Sequence, residues 1–191
     1  MEPSVISLSG DKISFFPGPA FSERIDDLWR YMEEDGLVPM VFPGDYPNDI
    51  NGWRSYIEDE NYVLPCMICY DDDIVGAFWV YDLYLMHRVY MGMFLRRKYW
   101  RPGFTDFLGE LALQFVFEKL ELDLVMAEVL TANRLINRFL RRTGWRQAGE
   151  DIPSYFGEGN PANLWAYHRS FLKGERYGWR EQAFEPANST T

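Results

Sequence analysis

Four basic residues, Arg96, Arg97, Lys98 and Arg101, crowd one short turn of an otherwise acidic chain. Directly after them stands Pro102-Gly103-Phe104-Thr105. From there Phe104, Leu108, Leu111, Phe115 and Leu120 fall along one face of a long helix. The first turn of a helix offers unpaired N–H groups and the positive end of its dipole, so it suits phosphate. Arg and Lys beside it could neutralise several phosphates. The competing reading is a solvated basic turn paired with nearby acids.

Cys66 and Cys69 are the only cysteines and form a C-x-x-C. Zinc needs four ligands, and no second Cys or Cys-His pair completes a shell, so no metal site is expected. A redox pair wants its thiols at a helix N-terminus. This segment reads as a strand instead, where residues three apart point to opposite faces. The expectation is two reduced thiols in a cytoplasmic protein. The two histidines, His87 and His168, are further acid–base candidates. His87 falls in a turn between strands, where it could face a cleft. His168 falls in the last strand, a structural position.

The elements that must position these residues follow from the pattern. Ile13 to Phe16 reads as a strand closed by Pro17-Gly18-Pro19. Ser22 caps a helix to about Asp35, with Ile25, Leu28 and Met32 on one face, and Gly36 stops it. Ile50 to Glu58 is a second helix. Tyr62 to Tyr70 and Ile74 to Tyr84 are strands joined by the polar turn Asp71-Asp72-Asp73. Val89 to Arg97 is the next strand, followed by the long helix. Leu122 to Val129 is a buried strand, and Arg134 to Arg142 a helix ended by Gly144. Trp145 to Tyr155 and Leu164 to Phe171 close the series. The order β-α-α-β-β-β-α-β-α-β-β gives a mixed sheet with packed helices, class α/β or α+β. One domain is expected over residues 1–180, with a polar, frayed tail over 181–191.

Composition narrows the functions. Hydrophobic residues are 47% and aromatics 17% of 191, a folded globular composition. Asp and Glu number 29 against 19 Lys and Arg, a net charge of −10. Such a chain would repel nucleic acid and suits an amine-bearing partner better. No stretch is apolar enough to span a bilayer, since Asp106, Glu110, Gln114 and Glu118 interrupt the longest candidate. The first ten residues show neither a basic patch nor an apolar run, so no targeting signal is expected there.

Two spacings carry a resemblance. Tyr99-Trp100-Arg101-Pro102-Gly103-Phe104-Thr105 resembles the pyrophosphate loop of the GNAT acyltransferase superfamily, and within it the ribosomal-protein-type N-acetyltransferases. Asn133, then Gly144-Trp145 eleven and twelve residues on, is similar to the family's Asn-helix-Gly-Phe closure. The resemblance implies the GNAT fold, a central mixed, mostly antiparallel twisted sheet of six to seven strands flanked by about four helices. It implies that Met93, Phe94 and Leu95 pair with the pantetheine arm of an acyl-CoA through backbone groups. It implies that the amides of Gly103, Phe104 and Thr105 hold the pyrophosphate, with Arg96, Arg97, Lys98, Trp100, Arg101 and Asn133 around the co-substrate. Glu128, five residues before Asn133, stands where some members carry the general base.

There are departures. Pro102 has no N–H to offer. Thr105 replaces a small Gly or Ala, and its hydroxyl could reach phosphate or cap the helix. Leu140 stands where many members place a Tyr that acts as acid. Tyr84, Tyr90 and Tyr155 are candidates for lining the acceptor pocket. Glu33, Glu34, Asp35, Glu58, Asp59 and Glu60 could border it and attract a cation.

The expected function is N-acetyl transfer from acetyl-CoA to an amine on a small molecule or protein, in a protein that could form a homodimer. The rival is a GNAT-fold binding or assembly module without chemistry. The departures favour it, as do the many aromatics of the N-terminal third.

Overall fold

The structure, a computed structural model, describes residues 4–8, 13–42, 47–58, 64–71, 73–81, 88–153, 160–172 and 179–183. Among the described residues there are nine strands: β1 (Ser4–Leu8), β2 (Ile13–Pro17), β3 (Cys66–Tyr70), β4 (Asp73–Tyr81), β5 (Arg88–Leu95), β6 (Leu124–Leu130), β7 (Arg146–Pro153), β8 (Pro161–His168) and β9 (Trp179–Ala183). They form a single sheet in the order β7-β8-β6-β5-β4-β3-β2-β1-β9. Every neighbouring pair with a described register is antiparallel except β5 with β6. The mixed, mostly antiparallel sheet is as expected, with more strands than the six to seven anticipated. The additions are β1 and β9, which pair with each other at one edge. The boundary expected at residue 180 therefore cuts a strand, and Glu181, Gln182 and Ala183 belong to the sheet rather than to a tail.

Among the described residues six helices accompany the sheet: α1 (Pro19–Ser22), α2 (Ile25–Glu34), α3 (Val38–Val41), α4 (Ile50–Glu58), α5 (Phe104–Leu120) and α6 (Arg134–Arg142). Side-chain alternation along the strands makes two cores. On one face Phe15, Cys66, Phe78, Val89, Val125 and Trp165 pack against α5 and α6. On the other, Met67, Cys69, Trp79 and Phe94 pack against α1 to α4. Cys66 and Cys69 thus lie on opposite faces, both buried. Burial pushes the Cys66 thiol well above its ordinary pKa.

Local chemistry moves some boundaries. Ser22 does not cap α2: its N–H bonds to the Gly18 carbonyl and closes the short α1. Helix α2 starts at Ile25 and buries Ile25, Leu28, Trp29 and Met32. It stops at Gly36, whose φ of 61° lets Leu37 N–H return to the Met32 carbonyl. The strand expected to reach Arg97 ends at Leu95, because the Arg97 N–H turns to Asp35 Oδ2 at 2.9 Å. The last strand expected to reach Phe171 ends at His168, whose Nδ1 accepts from Ser170 N–H and starts a 3₁₀ turn. Among the described residues no helix is long and apolar enough to cross a membrane.

Candidate functional site

The long crossover α5 is what allows β5 and β6 to run parallel. They pair only at Arg88 with Leu124, Val89 with Val125 and Tyr90 with Met126. Beyond Tyr90 the two strands share no further pairing, yet each keeps its outer neighbour. Tyr90 to Leu95 continue along β4, and Leu124 to Leu130 along β8. The sheet therefore opens along the inner edge of Met91 to Leu95. Met93 is half-buried there, while Phe94 and Leu95 are buried on opposite faces.

The turn after β5 leads to the α5 N-terminus. Trp100 donates its indole N–H to the Leu95 carbonyl at 2.8 Å, tying the turn back to the strand end. Gly103 precedes α5 with φ 84°, a left-handed conformation that a side chain resists, and open space lies in front of it. The Thr105 N–H is spent on the Arg101 carbonyl at 3.0 Å. Its hydroxyl donates to the same carbonyl at 3.1 Å, so it braces the turn and does not reach outward. Among the described residues the N–H groups of Gly103, Phe104 and Asp106 have no acceptor. The amide set differs by one from that implied by the resemblance: Asp106 is available and Thr105 is not.

The basic turn divides. Arg96 lies over the Tyr31 ring, 3.6 Å from its centroid, within 4 Å of carboxylate oxygens of Glu34, Asp35 and Asp73. Its side chain is only 13% exposed. Lys98 is ion-paired with Asp73, and Tyr99 Oη donates to the same carboxylate at 2.6 Å. The Lys98 hydrogen bond, then that of Tyr99, holds Asp73 below the usual carboxylate range. Burial, then Asp73, pushes Tyr99 up to about 12. Arg97 packs its guanidinium over Trp100. Arg101 is exposed and, among the described residues, has no acid partner. So Glu34 and Asp35 spend their charge on Arg96 and the turn behind it.

Glu128 lies two residues past the last β5–β6 pair, opposite Leu164 of β8, and is half-buried. Val125, Ala127 and Val129 face α5 and α6, so alternation turns Glu128 toward the other face. Tyr90 and Tyr81 stack nearby on β5 and β4, with centroids 5.7 Å apart. Asn133 caps α6: its Oδ1 accepts from Ile136 N–H at 3.3 Å. Leu140 is buried in the core, and Gly144, at φ 93°, lets Trp145 N–H return to the Leu140 carbonyl. His87, Tyr84, Asp59, Glu60 and Tyr155 lie outside the described residues.

Two features escaped the sequence reading. Asn137 is buried; its Nδ2 donates to the carbonyls of Leu130 and Asn133, while its Oδ1 accepts from Asn163 and Trp165. It fixes α6 on β8. Gly92 lies opposite Trp79, where an added Cβ would meet the indole at 2.4 Å. An Asn inside a helical pattern and a Gly inside a strand were the available signals.

An opened parallel pair, followed by a helix with free first-turn amides, is an arrangement that suits a phosphate group. The chain belongs to the acetyltransferase (GNAT) domain family, whose model matches residues 14–146. Solved structures agree on the fold. A ribosomal L7/L12 alpha-N-protein acetyltransferase, RimL, is 13% identical over 86% of this chain and 93% of its own, with a TM-score of 0.69. Mycobacterium smegmatis RimJ in complex with CoA-disulfide is 16% identical over 92% and 94%, with a TM-score of 0.69. Vibrio cholerae spermidine N-acetyltransferase in complex with CoA and spermine is 12% identical over 85% and 99%, with a TM-score of 0.68. No curated protein matches the sequence at a significant level.

Proposed function

We propose that the protein transfers an acetyl group from acetyl-CoA to an amine. The observation that carries this reading is the opening of β5 from β6 directly before a helix whose Gly103, Phe104 and Asp106 amides are free. Those amides and the dipole of a long helix suit a pyrophosphate, and Arg101 adds an unspent charge. The inner edge of Met91 to Leu95 offers unpaired backbone groups to the amide-bearing pantetheine arm.

Glu128, on the face away from α5, is the general base. It takes a proton from the acceptor ammonium, directly or through a water. The freed nitrogen attacks the thioester carbon, and a β5 N–H stabilises the oxyanion. The C–S bond then breaks, the nitrogen sheds its second proton to solvent, and the thiolate takes one from solvent, since Leu140 has none to give. The relatives include enzymes for protein N-termini and for a polyamine, and both acceptor classes present the required amine.

The rival reading is a binding module without turnover. It is favoured by the loss of the Thr105 amide and by the acids that neutralise Arg96 and Lys98. Calorimetry with acetyl-CoA, followed by CoA release with N-terminal peptides and polyamines, decides between them. Binding with release supports transfer. Binding without release on any amine supports the module. Absence of binding at millimolar acetyl-CoA overturns the transfer reading and leaves the module.

A further inference from the structure

The arginines of α6 split between its two sides. Toward α5, Arg142 is ion-paired with Asp106, and the Phe139 ring stands where a Cβ added at Gly109 would meet it at 3.1 Å. Toward β8, Arg134, Arg138 and Arg141 follow one another at i, i+4 and i+7, all exposed. At about 1.5 Å of rise per residue the outer two lie roughly 10 Å apart along the axis. With Thr131, Asn137 and Asn163 they line an open cavity of about 280 Å³. Acids outnumber bases in this chain. Even so, among the described residues no carboxylate lies within ion-pair distance of these three.

The floor beneath them is set. Asn137 and Asn163 are buried and hydrogen-bonded to each other at 2.9 Å. Trp165 joins them through its indole N–H, and Arg141 packs over the same indole. Gln147 donates to Asn163 Oδ1 at 3.2 Å. The amide groups are committed to one another, so recognition falls to the guanidinium row. Among the described residues one acid is near: Asp151 accepts from the Thr131 hydroxyl at 2.9 Å. One carboxylate against three guanidinium groups leaves a local excess of positive charge.

We propose that this cavity is a second anion site, separate from the acyl-CoA groove, that takes a compact phosphate-bearing ligand. Guanidinium groups bind phosphate oxygens in pairs, and the spacing of three admits a di- or triphosphate better than a lone anion. The site lies across α6 from α5, whose first turn faces the proposed co-substrate.

Pyrophosphate is the probe, with chloride at matched ionic strength as control, read by calorimetry and thermal shift. The test compares wild type with Arg134→Gln/Arg138→Gln, whose residues are exposed, and with Arg142→Gln on the opposite side. Pyrophosphate is expected to bind wild type and Arg142→Gln alike and the double variant roughly tenfold more weakly. Equal binding by all three, or none beyond the chloride effect, overturns the site. A 3′-phosphate of bound CoA is the other source of the same chemistry. If the double variant weakens CoA but not dephospho-CoA, the cavity belongs to the co-substrate and the separate site is refuted. This outcome is independent of the acetyl-transfer reading, which fails if wild type does not bind acetyl-CoA or binds it and releases no CoA with any amine.

Discussion

Gly92→Ala tests whether the opened edge of β5 depends on the Trp79 indole. A Cβ built at Gly92 lies 2.4 Å from Trp79 Cε2, 2.5 Å from Nε1 and 2.6 Å from Cζ2. Carbon atoms prefer about 3.5–4.0 Å, so roughly 1 Å must be found. Trp79 cannot yield it cheaply. It is 2% exposed and packed among Phe42, Trp53 and Tyr56, with centroids 5.9, 5.3 and 6.5 Å away. Overpacking of this kind costs about 1–3 kcal/mol. At this chain length 2 kcal/mol lowers Tm by roughly 4–8 °C. Urea unfolding followed by tryptophan fluorescence measures the loss, and acetyl-CoA affinity should fall with it if β5 shifts. Trp79→Leu opens the space, so adding Gly92→Ala to that background should cost less than about 0.5 kcal/mol. A single Gly92→Ala variant within 0.5 kcal/mol of wild type would show that the contact does not constrain the strand.

Glu128→Gln keeps the shape and removes the base. Turnover should fall roughly 100- to 10,000-fold while the acetyl-CoA Kd stays put; an unchanged rate removes Glu128 from the mechanism. Asp73→Asn tests the anchor under the basic turn. The native pKa of Asp73 lies below its unfolded value, so its contribution is present above about pH 4 and disappears as pH falls through the lower native value. The group is 45% exposed, which limits the contribution to about 1 kcal/mol or less. Chemical denaturation from pH 7 to pH 2 should show a shallower acid decline in the variant, and parallel curves would refute the linkage.

The sequence carried the scaffold where period and punctuation agree. The α5 pattern, the α6 span and the stop at Gly144 are local signals, and the structure keeps them. Strand β9 was missed because its partner β1 lies far along the chain, whereas β1 also pairs with the adjacent β2. Within the site, the positions were legible and the partners were not. Nothing in the run from Arg96 to Arg101 says that Asp35 and Asp73 wait across the fold. Nor does the spacing say that the Thr105 amide turns inward, which depends on how Pro102 bends the chain after Arg101.

That division among the basic residues is itself testable, because it assigns unlike consequences to neighbours. Arg96 is surrounded by Glu34, Asp35, Asp73 and Tyr31. Arg96→Gln removes the shared cation from three acids that keep their other partners, Lys98 and Tyr99 for Asp73, the Arg97 N–H for Asp35 and Arg30 for Glu34, and should cost about 1 kcal/mol of stability. Its effect on acetyl-CoA should be indirect and weakly dependent on salt. Arg101 is exposed and holds no acid among the described residues, so Arg101→Gln should change stability by less than about 0.5 kcal/mol. If its charge meets the pyrophosphate, the acetyl-CoA Kd should rise roughly five- to tenfold at low salt, and the gap to wild type should close as salt screens the interaction. The reverse pattern, with Arg101→Gln unfolding early and Arg96→Gln binding poorly at full stability, would mean that the charges of the turn are used the other way round.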